Sequence, residues 1–497
     1  MRIKDCEVIL PLMKTIIKRG VFMGIVAGFM VPHPPMIVPE IGRGSEKQIE
    51  ATKKAYEKVA DMICELTPDT IIISSPHSVM YGDYFHISPG KYADGSFRRF
   101  DAKEVSFHME YDRELVNTII RQAIDADIAA GKLGEKDASL DHGTMVPLYF
   151  ITQKYTDFKL VRIGLSGFSL ATHYELGQAI KRASEELDRR VIYIASGDLS
   201  HKLKEYGPYG FVEEGPVYDE RIMDVMGRGD FDELLSFNES FLDAAAECGH
   251  RSFVMMAGAL DRTNLKITRM SHEDVTGVGY GICSYIVDND EPNEDRAFLD
   301  KWTEKEAKRL EEKRANEDLF VRLARASTEY YVNNKRKLNY ASAISQILKS
   351  GDEALLSELE ERQAGAFVSL HIGDSLRGCI GTIAATQSCI AEEIICNAIS
   401  ACSLDNRFEP VTPDELNYIE YSVDILGERE KISSADELDV KRYGVIVSKG
   451  MRRGLLLPNL DNVKTVDEQI AIAKRKGGIS ATETDIQLER FEVVRHF

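Results

Sequence analysis

The chain has 497 residues, 43% of them hydrophobic and 29% charged, with a formal net charge of −19. That length exceeds one ordinary core and is read as two domains, and no stretch reaches the ~18 apolar residues a membrane span needs. So acidic a chain argues against nucleic acid, whose phosphates demand cations first, while eight cysteines without a CxxC pair argue for reduced thiols in a cytoplasm.

Residues 1–22, MRIKDCEVILPLMKTIIKRGVF, are apolar and basic like a signal peptide, but Lys14, Lys18 and Arg19 interrupt the apolar core and no small-residue cleavage site follows. They are expected to be an extension that adds nothing to the fold. From Met23, GIVAGFMV reads as a buried strand leading into VPHPP and His33. In the following EKQIEATKKAYEKVADMICEL, Ile49, Ala55, Val59, Met62, Ile63 and Leu66 keep helical spacing, and TIIISS is then a second strand leading into His77. A strand, helix and strand within about fifty residues is a βαβ unit, so both strands should be parallel and both following loops should share one sheet edge.

Further along come a helix near DRELVNTIIRQAI, a loop with His142 in LDHGTMVPL, a strand near FKLVRIGLS and a helix near ELGQAIKRASEELD. The strand VIYIAS then runs into GDLSH, with Asp198 and His201, before a mostly helical span from about Val217 to Leu260 and a last strand VGYGICSYIV. This alternation predicts one α/β domain over residues 23–288, a sheet flanked by helices. His33, His77 and His201 each follow a strand, and ligand sites in open α/β sheets gather at the carboxyl ends of strands. Three imidazoles there encode a metal or acid–base site.

Residues 289–315 are dominated by charge, contain the sole tryptophan, Trp302, and read as a solvated linker passing into a helix. Residues 316–497 predict an α+β domain: a helix FVRLARASTEYYV, a hairpin GAFVSLHIGDSLRGCIGTI turning at GD, a helix near IAEEIICNAISAC, strands near YIEYSVDIL and GVIVSKGMRRGLLLP, and a late helix near DEQIAIAKRK. Gly378 and Gly381 in a strand imply close backbone approach or a bulge. Arg377 and Cys379 fall on one face of a regular strand, where a cation lowers a thiol's pKa and makes a nucleophile; the alternative is a small buried cysteine. Cys389, Cys396 and Cys402 are expected in the core.

Neutral imidazole suits iron or zinc, and two histidines with one carboxylate leave positions open for other ligands. The third ligand has several candidates: AAAECGHRSF holds Glu247, Cys248 and His250, and SHEDVTG holds His272 and Glu273. His86, His108, His173, His272 and His371 are left as structural or surface residues.

VPHPP, SSPHS, LDHGTMVPL and GDLSH, in that order over roughly residues 24–287, resemble the class III extradiol dioxygenases of the LigB type, and still more the Memo branch of that superfamily. The resemblance implies that His33 and His77 hold a non-haem Fe(II), that His201 serves as general acid or base, and that His142 lies beside the substrate. Asp198 would orient His201 or the substrate. LigB-type enzymes complete the metal site with a late glutamate, whereas Memo-like proteins carry a cysteine followed by glycine, matched here by Cys248 and Gly249, with Glu247 alongside as the carboxylate choice. The implied cofactor is Fe(II), with Zn or Cu as alternatives, and the implied reaction is oxidation or ring opening of a phenolic, catechol-like small molecule. LRGCIG, LDNRFEPVTPDEL and GLLLPNL resemble the AMMECR domain, which brings a fold, little chemistry and, by association of such domains, a radical SAM protein as partner. The alternative function is a metal-binding or partner-docking protein of such a system without dioxygenase activity.

Overall fold

In this computed structural model the described residues are 23–373, 375–460 and 463–497, and the extension expected over 1–22 lies outside them. The chain divides into two units between Lys305 and Glu306.

In the first unit, short runs rich in β-branched residues form the parallel strands β1 (Gly24–Val31), β2 (Thr70–Ser75), β3 (Lys159–Gly164) and β4 (Arg190–Ser196). The antiparallel strands β5 (Thr263–Glu273) and β6 (Tyr280–Pro292) extend the sheet, in the order β3-β2-β4-β1-β6-β5. β1 and β2 are buried along their whole length, as parallel strands covered on both faces must be. Alternation then divides their side chains: Ile71 and Ile73 join one core and Ile72 the other. Helices α1 (Glu50–Leu66) and α3 (His142–Ile151) cover one face, and α2 (Arg113–Asp125), α4 (Leu170–Glu186), α5 (Glu214–Arg228) and α6 (His250–Ala259) cover the other.

The βαβ expectation holds with one refinement. β1 and β2 are parallel, but β4 lies between them and pairs with both. All three therefore end on the same edge. The span expected to be mostly helical is α5, two short helices (Phe231–Leu234 and Glu239–Ala245) and α6. β5, on which no strand was expected, has no fully buried residue; this edge strand is bonded through its backbone to β6, with Leu265 and Ile267 half-buried on one core and Met270 on the other.

The stretch expected as a linker is the end of β6, a turn at Glu294–Arg296 and most of a helix, Phe298–Asn316. Trp302 packs on the first unit's core, while Arg309 and Lys313 both pair with Glu420 of the second unit, within which they lie.

The second unit is α+β. Helix α7 (Leu319–Asn334) and helix α8 (Ile390–Ser403) pack on a sheet of β7 (Ala366–Ile372), β8 (Ser375–Gly381), β9 (Ile419–Leu426) and β13 (Val493–His496), in the order β8-β7-β9-β13. A second sheet joins Glu430–Ile432 with β10 (Gly444–Lys449), β11 (Arg452–Leu456) and β12 (Gln487–Phe491), and α9 (Val466–Lys476) packs on it. The expected hairpin is β7–β8, with Gly373 at φ 57° in its turn. Both readings of the LRGCIG glycines hold: a Cβ on Gly378 would stand 2.3 Å from the Ala401 carbonyl oxygen of α8, and the ladder slips register between Leu370 and His371.

Candidate metal centre

Because β1, β2 and β4 end on one edge, the loops after them bring His33, His77, Asp198 and His201 to one place. His142 arrives separately as the first residue of α3, behind its N-cap Asp141, whose carboxylate accepts from the Thr144 N–H at 3.0 Å. Cys248 comes from the turn before α6. That turn reaches the end of β4 because two glycines touch: a Cβ on Gly197 would lie 2.0 Å from the Gly249 Cα.

Ligand atoms of His33, His77 and Cys248 all lie within 4.8 Å of one another, the group with such reach among the described residues. His77 Nε2 is 3.0 Å from His33 Nε2, and Cys248 Sγ is 3.7 Å from the same nitrogen. The His142 ring centre lies 4.0 Å from that of His77. Asp198 accepts from the His33 N–H at 2.7 Å and presents its other oxygen 4.0 Å from His33 Nε2 and 3.9 Å from His201 Nε2. Phe100 closes over His142, and Tyr209 stacks on His201.

The other candidates for a third ligand are spent elsewhere. Glu247, adjacent to Cys248, turns into its own helix start and accepts from the His250 N–H at 2.6 Å. His250 is buried between the Leu234 carbonyl, 2.9 Å from Nε2, and the Tyr218 hydroxyl. His272 lies 3.0 Å from Asp219, and Glu273 accepts from the backbone and hydroxyl of Thr52.

Burial sets the protonation of the site. It lowers the imidazole pKa values of His33 and His77, with the neighbouring imidazoles adding to the shift at His33, and takes His142 and His201 to about 4. Burial also raises Asp198 to about 7 against the opposing N–H of His33, and pushes the Cys248 thiol well up, helped by Asp198 and Glu247. The result at neutral pH is a buried set of neutral imidazoles, each with one lone-pair nitrogen, beside a protonated thiol. Such donors fit a cation, whose charge is what lets a buried thiol ionise.

The model of the catalytic LigB subunit of aromatic ring-opening dioxygenase matches residues 27–283, and the AMMECR1 model matches residues 321–496. This chain belongs to the LigB family and carries an AMMECR1 domain. It is 39% identical over 475 residues to the Clostridium acetobutylicum protein CA_C1420, covering 94% of this chain and 98% of that one. A Thermotoga maritima protein is 53% identical over 146 residues, 29% of this chain and 84% of its own length. The 2-aminophenol 1,6-dioxygenase beta subunit of a Pseudomonas species is 25% identical over 292 residues, 52% of this chain and 93% of that subunit.

In the AMMECR1 unit the structure does not join Arg377 to Cys379. The Arg377 guanidinium pairs with Glu415, at 2.6 and 3.1 Å. Cys379 Sγ accepts from the Ser369 hydroxyl at 3.2 Å, and burial pushes its thiol up, opposite to the lowering expected from a neighbouring cation. Cys402 is buried in the core, whereas Cys389 and Cys396 are half-buried. In the LigB unit, sequence reasoning missed Ser75, Ser196, Phe100 and Tyr209 around the histidines. For Asp141 a signal existed: an aspartate ahead of a helix start reads as an N-cap.

Proposed function

We propose that the LigB unit is a metal-dependent oxidoreductase in which His33, His77 and Cys248 hold Fe(II) and the substrate is a small phenolic or related oxygenated molecule. The observation that carries this reading is the convergence of three ligand atoms within 4.8 Å, with His142, His201 and Asp198 along the same edge. Fe(II) would supply a Lewis acid that brings substrate and oxidant together and exchanges electrons with them.

The chain's own groups account for the rest. His201, unprotonated at neutral pH, takes a proton from a substrate hydroxyl, and Asp198 at 3.9 Å stabilises the imidazolium that forms. His142 hydrogen-bonds a substrate oxygen from the other side. Phe100 and Tyr209, each against one of these histidines, offer ring faces to an aromatic substrate. Likeness to a 2-aminophenol 1,6-dioxygenase subunit supports an aromatic ring carrying adjacent polar substituents, opened beside them.

Cys248 favours a second reading. Thiolate suits softer ions than carboxylate does, so Zn or Cu in the same trio would make this a metal-binding or partner-docking protein of a Memo-like, radical SAM-associated system in the cytoplasm, without dioxygenase activity.

Metal analysis of anaerobically purified protein, beside His33→Ala and His77→Ala, separates the two. The first reading expects stoichiometric iron that both variants lose, followed by oxygen uptake with catechol or 2-aminophenol. Zinc or copper selects the second reading. A parent protein without bound metal overturns both metal readings and leaves partner docking.

A further inference from the structure

Two serines behind the histidines occupy equivalent places: Ser75 is the last residue of β2 and Ser196 the last of β4, and both abut the first turn of α3. Ser196 Oγ lies 2.6 Å from the Gly143 carbonyl oxygen and 3.0 Å from His33 Nδ1. A carbonyl can only accept, so the single hydroxyl proton of Ser196 is committed to Gly143. The contact with His33 then requires that Nδ1 carry the ring proton and donate it to Ser196 Oγ. That leaves the lone pair on Nε2, the atom facing His77 Nε2 and Cys248 Sγ.

On β2, Ser75 donates to Asp141 Oδ1 at 2.6 Å, so its oxygen is free to accept the backbone N–H of His77 at 3.2 Å, a contact that fixes the turn carrying the ring but not its tautomer. Asp141 in turn holds the Thr144 N–H and hydroxyl, both at 3.0 Å. Behind it stands Arg162, a buried guanidinium whose Nη1 is 3.8 Å from Asp141 Oδ2 and donates to the Ser139 carbonyl at 2.6 Å. The turn is packed so closely that a Cβ on Gly143 would lie 2.4 Å from Ser75 Oγ.

We propose that Ser196 and Ser75 are positioning residues that mount His33 and His77 on the first turn of α3, which itself carries His142, and that Ser196 holds His33 with its proton on Nδ1 and its Nε2 lone pair aimed at the ligand position. The ligand role rests on the metal reading above; the tautomer does not. A buried serine between an imidazole and a carbonyl is thus what selects one nitrogen of His33, as a hydrogen bond to the far nitrogen does for metal-bound histidines generally.

The ring 15N–1H correlations of the metal-free full-length protein test the tautomer directly, with the His33 signals assigned by their loss in His33→Gln. The expected result is protonated Nδ1 and bare Nε2 at His33, with the preference lost in Ser196→Ala. In parallel, Co(II) titration should show affinity about ten- to a hundredfold weaker in Ser196→Ala, with altered Co(II) absorption bands, and recovery in Ser196→Thr, which keeps the hydroxyl. Protonated Nε2 in the parent, or parental Co(II) affinity in Ser196→Ala, overturns the proposal. A parent that takes up no Co(II) sinks the metal reading alone, because the correlations are recorded without metal.

Discussion

Cys248 and Glu247 are neighbours in sequence, yet only Cys248 faces the histidines. Glu247 completes the start of α6 by accepting from the His250 N–H, a donor that the helix itself leaves open. Cobalt is a suitable probe of this division, because a thiolate bound to Co(II) adds near-ultraviolet charge-transfer absorption. Cys248→Ser is expected to abolish that absorption and weaken binding. Glu247→Ala should keep the absorption and lower stability by about 1 kcal/mol, the cost of an open helix donor. The reverse pattern would assign the ligand to the carboxylate. From sequence the two were equivalent, since both carry ligand chemistry and sit side by side, and only the direction of each side chain separates them.

At the scale of elements, the contact between Gly197 and Gly249 decides whether the turn before α6 can reach the end of β4. A Cβ on Gly249 would stand 2.4 Å from the Phe253 ring and 2.9 Å from the Gly197 Cα, so neither backbone nor ring has room to yield cheaply. Gly249→Ala is therefore expected to cost about 1–3 kcal/mol in denaturant unfolding and to reduce metal uptake through displacement of Cys248. Unchanged stability would show that the turn is free to move. The strands that carry the histidines were legible as apolar runs because burial on both faces demands them. β5 and the hairpin of Tyr92–Phe97 with Ala102–Glu110 were harder to read, since their apolar alternation is short: Leu265 and Ile267 on β5, and Val105, Phe107 and Met109 on the second arm of the hairpin.

For the molecule as a whole, buried neutral histidines tie stability to pH. His173 is fully buried in α4, with Nδ1 2.9 Å from the Ser169 carbonyl, and burial lowers its pKa to about 3. Below about pH 6.5 the unfolded chain binds a proton there that the folded chain refuses, so stability falls as pH falls from that point toward 3. One such group is worth about 1.4 kcal/mol at pH 5.5. Urea unfolding at about pH 7.5 and pH 5.5 should show a loss to which the other buried imidazoles also contribute, and His173→Gln should make that loss smaller by about 1.4 kcal/mol; an unchanged pH dependence in the variant would place the linkage elsewhere. Local pattern alone carries the buried strands that end in histidines, the crossover that makes two of them parallel, the hairpin around LRGCIG, and the two units with different architectures. Packing of distant segments is what puts β4 between β1 and β2, brings Cys248 rather than Glu247 to His33 across 215 positions of chain, and pairs Arg377 with Glu415 rather than with Cys379. Periodicity acts over a few residues and registers burial, whereas these outcomes depend on which surfaces touch once distant segments pack, and on how far burial outweighs a nearby charge.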